Sequence, residues 1–277
     1  MDIDTHGPGS NPRIVRSGGK TSAVSVPLTK SLDPTLDRER RTPLWREDVQ
    51  PRVSGEIRIV PSARSELAAR VLNVVISTVA LIVLSPLLVL IGLVVKLTSP
   101  GPIVYRQIRI GLNRRTSSGS SPLYDRRSTD LGGAVFTMYK FRSMRVDAER
   151  KTGAVWAQKC DSRVTTWGRF MRATRLDELP QLLNVLKGDM SIVGPRPERP
   201  SIFRRLSQTI EGYEHRQLAR PGITGWAQVN QDYDSCLADV ENKVRYDLEY
   251  LQRQSVAEDL KIMLKTVPTM LLRRSGW

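Results

Sequence analysis

The sequence predicts a predominantly helical α+β protein held to a membrane by one broken apolar helix. Three observations lead there. Val71–Val95 carries no charged residue and is long enough to span a bilayer as a helix. Further along, Val256, Leu260, Met263, Leu264, Val267 and Leu271 recur at helical spacing beside Lys261, Lys265, Arg273 and Arg274, the pattern of an interfacial amphipathic helix. Between these, Ile103-Val104-Tyr105 followed by Gln107-Ile108-Arg109-Ile110 reads as a short strand pair or a strand and turn.

Taken in order, residues 1–64 are rich in Gly, Pro, Ser, Arg and Asp, with apolar residues scattered singly, and read as a disordered tail. The tail has no basic start, apolar stretch and cleavage site of a signal peptide. Residues 65–97 form the membrane helix, with Ser85-Pro86 near the middle of its apolar run. Proline removes a backbone donor and kinks a helix, and serine can bond a freed carbonyl, so the pair favours a re-entrant path over a straight crossing that tolerates the proline. Arg58, Arg64 and Arg70 precede the run, and Lys96, Arg106, Arg109, Arg114 and Arg115 follow it. Basic flanks on both sides put both ends in the cytoplasm.

Pro100-Gly101-Pro102 ends the helix, and residues 98–277 make up one folded unit. Leu112–Gly133 is a run of Ser, Arg, Gly and Asp that reads as a surface loop. Arg163–Arg175 brings Trp167, Phe170, Met171 and Leu176 near one side of a helix with Arg169, Arg172 and Arg175 interleaved, which suits either a lipid headgroup interface or an ordinary core-facing helix.

A formal charge of +15 and a pI near 10.3 over 277 residues favour a polyanionic partner: nucleic acid, anionic lipid or phosphorylated substrate. Neither a nucleic-acid-binding module nor a dense basic-aromatic surface is recognisable, so no nucleic acid partner is expected. Cys160 and Cys236 stand apart from each other and from His6 and His215, which suggests neither a zinc site nor a disulfide framework and fits a reducing cytoplasm.

Three runs carry chemistry. In Leu176–Glu198, LDELPQLLNVLKGDMSIVGPRPE, Asp177 and Glu178 stand just ahead of Pro180 and a helical pattern that Gly188 can terminate. Asp177 could be a simple N-cap. Equally, an aspartate can attack phosphorus to give an aspartyl phosphate, and two adjacent carboxylates suit Mg²⁺ bridging to substrate phosphates. Arg196, between Pro195 and Pro197, is either part of a stiff exposed turn or a pre-positioned guanidinium for phosphate. In the KFRSM run, Lys140 and Arg142 alternate with Tyr139, Phe141 and Met144 as on a strand, giving a cationic face that is either merely solvated or turned to an anion. In Pro221–Asn230, PGITGWAQVN, Trp226 either packs structurally or offers a platform to nucleotide or sugar.

These three runs, within roughly residues 65–267, resemble the monotopic phosphoglycosyl transferases, bacterial sugar transferases of the exopolysaccharide type that act on undecaprenyl phosphate. The resemblance implies a monotopic protein: one re-entrant helix broken at Ser85-Pro86, interfacial amphipathic helices and a small catalytic domain on the cytoplasmic face of the bacterial inner membrane. It implies a UDP-sugar donor, a polyprenyl phosphate acceptor, contact with membrane lipids and a Mg²⁺ cofactor. Asp177 matches the nucleophile and Glu178 its partner acid, with both Asp177 and Glu178 as metal ligands; Arg196, Lys140, Arg142 and Arg172 become phosphate or substrate contacts. Against the family pattern, about 112–133 is a loop insertion, and Arg175 stands where many relatives have serine. The rival is a membrane-bound basic adaptor that binds anionic lipid or nucleic acid without turnover.

Overall fold

The computed structural model describes residues 61, 62, 64–113, 132–148, 161–231 and 236–272. Most of the 1–64 tail and most of the 112–133 insertion lie outside these residues. Ser62 and Arg64, assigned to the tail, are tied down: the Ser62 amide donates to Leu251 O at 2.9 Å, and Arg64 pairs with Asp259 at 2.9 Å.

The apolar segment folds as two helices, α1 (Glu66–Val83) and α2 (Ser85–Thr98). Ser65 caps the first, its hydroxyl accepting from the Ala68 amide. The break falls at Leu84, with φ −88° and ψ 1°. Pro86 sits in the first turn of α2, where its missing N–H costs least, and Ser85 Oγ donates to Ile82 O at 2.8 Å. By length and composition α1 could cross a membrane; α2, at 14 residues or about 21 Å, is shorter than a hydrocarbon core.

Burial along α1 is inverted. Ala69, Asn73 and Ser77 face inward, while Val71, Val75, Val79, Ile82 and Val83 are all more than half exposed. On α2, Ile91 and Val95 pack with Phe141 and Met171, and Val89 and Leu93 are exposed.

Two small sheets follow. β1 (Val104–Ile110) pairs antiparallel with β2 (Val135–Phe141), Val104 opposite Phe141 and Ile110 opposite Val135. β2 therefore ends before Arg142, so Lys140 and Arg142 do not share a strand face as the alternation predicts. Phe136 and Met138, on the face of Lys140, pack with Val185 and Met190, while Phe141 on the other face meets α2. β3 (Ser191–Val193) lies parallel to β4 (Gly222–Thr224).

The remaining helices are α3 (Thr166–Ala173), α4 (Gln181–Lys187), α5 (Pro200–Thr209), α6 (Trp226–Asn230), α7 (Leu237–Arg253) and α8 (Val256–Leu272). In α3, Met171 is fully buried, and Trp167 and, just beyond the helix, Leu176 pack against the same apolar cluster, while Phe170, stacked on Trp167, is 48% exposed. In α8, Ile262 enters the core and Leu260, Leu264 and Val267 remain exposed.

Candidate active site

Asp177 and Glu178 occupy a single 3-10 turn, Leu176–Glu178, between α3 and α4. The chain reverses into that turn through Arg175, which at φ 58° is the one non-glycine residue with positive φ among the described residues. α4 then runs seven residues and stops at Gly188, whose φ of 85° suits a residue without Cβ. Asn184 fixes α4 to β2, accepting from the Tyr139 amide at 3.0 Å and donating to Thr137 O at 2.7 Å. That places Lys140 beside the acidic turn.

The two carboxylates meet different surroundings. Glu178 is held by Lys140 Nζ at 2.9 Å and by the Arg196 fork at 2.5 and 3.3 Å, with Arg175 at 3.9 Å. Burial pushes its carboxyl upward, but the charges of Arg196 and Lys140 outweigh this and hold it well below the usual carboxylate range. Asp177 is equally buried, yet no described residue hydrogen-bonds to its carboxylate. Burial and then the charge of Glu178 raise its pKa, against the pull of Lys140, Arg172 and Arg196. Lys140 is lowered by burial against the pull of Glu178, and Arg196 is raised chiefly by Glu178.

A cavity of about 1410 Å³ opens beside the pair, and Asp177, Glu178, Lys140, Arg142, Arg172 and Arg196 all line it. Five of the six face one cluster of charge. Arg142 is the exception: past the end of β2 it turns to the end of α2, donating to Ser99 O at 2.6 Å, Ser99 Oγ at 2.7 Å and Val95 O at 3.4 Å. The Val95 and Ser99 carbonyls lie at the negative end of a helix, which favours a cation, and all three bonds come from Nη2. Its Nε and Nη1 are buried without a described partner.

Arg196 owes its position to residues that no site motif in the sequence marks. Arg216 donates to Arg196 O at 3.1 Å while pairing with Asp247 at 2.6 Å; Arg109 donates to Pro197 O at 2.9 Å; and the Ile110 amide donates to Glu198 O at 3.0 Å. Lys243 binds the Glu198 carboxylate at 2.9 Å, and with Arg216 and Arg109 it overcomes the burial that would raise that acid, lowering it to about 2. From below, the PGITGW run is strapped to the same loop, the Gly194 amide donating to Thr224 O and the Gly222 amide to Pro195 O, both at 2.9 Å. A Cβ on Gly194 would collide with Arg220 O, and one on Gly222 with Gly194 N, so glycine here serves close backbone approach. Trp226 packs against the α7–α8 core, with Lys265 4.5 Å from its ring.

Residues 64–273 match the bacterial sugar transferase family. The chain belongs to that family. It is 41% identical over 208 residues to UDP-glucose:undecaprenyl-phosphate glucose-1-phosphate transferase of Escherichia coli K12, covering 74% of this chain and 40% of the relative. To the Caulobacter vibrioides protein of the same name it is 40% identical over 214 residues, 76% of this chain and 73% of the relative. The exopolysaccharide production protein PSS of Rhizobium leguminosarum is 35% identical over 215 residues, 75% of this chain and 97% of the relative. Against several of its relatives, the E. coli protein among them, the chain spans less than half their length.

Proposed function

We propose that this protein transfers a sugar 1-phosphate from a UDP-sugar to undecaprenyl phosphate, with Asp177 as a covalent nucleophile. The observation that carries this reading is the division of labour in the acidic turn: Glu178 takes the hydrogen bonds of Lys140 and Arg196, while no described residue hydrogen-bonds to the Asp177 carboxylate at the wall of a large cavity. An Asp177 oxygen attacks the sugar-bearing phosphorus. The bond from that phosphorus to the bridging oxygen breaks, and UMP departs with the electron pair. An oxygen of the polyprenyl phosphate then attacks the same phosphorus, and the aspartyl oxygen leaves. The product is a polyprenyl diphosphate sugar.

Arg196, Lys140 and Arg172 line the cavity where phosphate charge would collect, and each suits stabilisation of charge that grows in the transition state. Arg142 supports the site from the helix end. The residues fit Mg²⁺ through Asp177, a hard-oxygen ligand to which no described residue hydrogen-bonds, with Glu178 beside it held by Lys140 and Arg196; one carboxylate is the sparse protein donor set this ion accepts when phosphates complete its shell. Bound there, it would neutralise charge on the diphosphate.

The inverted burial of α1 supports a lipid surround, since apolar side chains turned outward and polar ones inward suit an apolar solvent. α1 and α2 form the re-entrant element, α3 and α8 lie at the interface through Phe170 and Leu264, and the catalytic side faces the cytoplasm of a bacterial inner membrane. Transfer onto undecaprenyl phosphate would be an initiating step of exopolysaccharide or other glycoconjugate assembly, and one relative is named an exopolysaccharide production protein.

The test is to incubate detergent-solubilised protein with UDP-glucose, other UDP-sugars and Mg²⁺, with and without undecaprenyl phosphate. UMP and lipid product should appear with acceptor. Without it, intact-mass analysis should find a phosphosugar on the peptide containing Asp177, absent from Asp177→Asn. An adduct on another residue, or turnover by Asp177→Asn, overturns the assignment.

A further inference from the structure

The inward face of α1 holds two elements that meet at the active site. Arg70 reaches the C-terminal end of α4, Nη1 donating to Val185 O and Nη2 to Leu186 O. One turn on, Asn73 is 5% exposed, and its Oδ1 accepts from the Ile192 amide at 2.7 Å while its Nδ2 donates to Ala69 O at 2.8 Å. β3 pairs with β4 on one edge, through Ser191 and Val193, so the Ile192 amide points to the other edge, and Asn73 takes the place of a strand there. α4 is the continuation of the Asp177–Glu178 turn, and β3 leads through Gly194-Pro195 into Arg196. The ends of these two elements join in the Arg196–Glu178 pair at 2.5 Å.

A polar side chain inside an apolar helix is costly unless both its donor and its acceptor are met, and Asn73 meets both. An anchor alone needs neither Asn73 nor the Arg70 fork; leucines would hold lipid better. We propose that Arg70 and Asn73 are positioning residues: the membrane helix sets the distance between Arg196 and the carboxylate turn, so that anchoring and active-site geometry are one device. The inference rests on the transferase reading above.

The experiment uses the full chain in detergent and follows the UMP burst with soluble UDP-sugar alone, beside hydrogen exchange of the peptide spanning Ile192–Arg196. Asn73→Leu keeps an apolar helix but withdraws the acceptor. The burst rate at saturating donor should fall about 10²-fold, the size of effect a displaced catalytic group produces. Exchange in Ile192–Arg196 should rise. Asn73→Gln keeps both a donor and an acceptor and should recover both readouts to within about tenfold of the parent. Val75→Leu, on the exposed face, should change neither. Should Asn73→Leu fail to fold, Arg70→Gln against Arg70→Lys carries the same test at the α4 end. A parental burst rate in folded Asn73→Leu, or a lost burst without any rise in exchange over Ile192–Arg196, makes the stripe an anchor and overturns the proposal. A parental protein that releases no UMP would instead sink the transferase reading, and the exchange data would still judge the docking.

Discussion

Along α1 the polar side chains Asn73 and Ser77 are buried while Val71, Val75, Val79 and Ile82 stand more than half exposed. Across β2, α4 and β3 the order reverses: Phe136, Met138, Val185 and Met190 form the interior, and Lys140, Arg172 and Arg196 line a cavity. Each region is turned inside out relative to the other. The difference teaches that the two answer to different surroundings, one apolar and one charged, and that their contact carries hydrogen bonds rather than apolar packing alone. The same contrast recurs on a small scale in the acidic turn, where one carboxylate is committed and its neighbour is free.

The largest effect that sharpens this contrast should come from Glu178→Gln. The substitution leaves Lys140 and Arg196 without their shared anion, and both then turn to Asp177, lowering the reactivity of the free carboxylate. kcat/KM should drop about 10³-fold, within the range for loss of a positioned acid or base. Stability at neutral pH should fall by about 3 kcal/mol, because a buried pair has lost one partner. The sign follows from a depressed acid: its contribution is present above the unfolded pKa and disappears as pH falls through the folded one. The gap in denaturation midpoint between parent and variant should therefore close in strong acid; a gap that holds there would show that Glu178 acts through packing.

Next in size is Arg196→Lys, which keeps the charge and loses the fork that grips both Glu178 oxygens. A loss of about 10²-fold in kcat/KM is expected, with the protein still folded, since Arg216 and Arg109 hold this loop by its backbone carbonyls. Near-parental kinetics would mean that the guanidinium plane is irrelevant and that charge alone suffices.

The reach of the sequence reading follows the same division. Local signals were legible: the Ser85-Pro86 break, the Gly188 stop, and the carboxylates ahead of α4 all depend on residues within a turn of each other. Partners distant in sequence were not. The run of KFRSM suggested that Lys140 and Arg142 act together, but β2 ends between them, and Arg142 is drawn to carbonyls about forty residues earlier, at Val95 and Ser99. The supports of Arg196 come from Arg109 and Arg216, whose types alone say only that the chain is basic. Asn73 was visible as a polar residue in an apolar run, a signal the charge count passed over because asparagine carries none.

The smallest effect concerns the path of the broken helix, where substitutions should leave activity unchanged and report only location. Both arms return to the same folded unit: α1 begins beside α8, where Arg64 meets Asp259, and α2 ends at Arg142. A single straight helix through both arms would carry its ends about 48 Å apart, farther than a hydrocarbon core is thick. Cysteine placed at Ser62 and, separately, at Thr98 should label from the same side of sealed membranes, whichever way the vesicles are oriented, while turnover stays at the parental rate. Labelling from opposite sides would make α1–α2 a crossing helix. The outward valines would then still meet lipid, but the contacts at Arg64 and Arg142 could not both form, and the two regions contrasted above would no longer belong to one device.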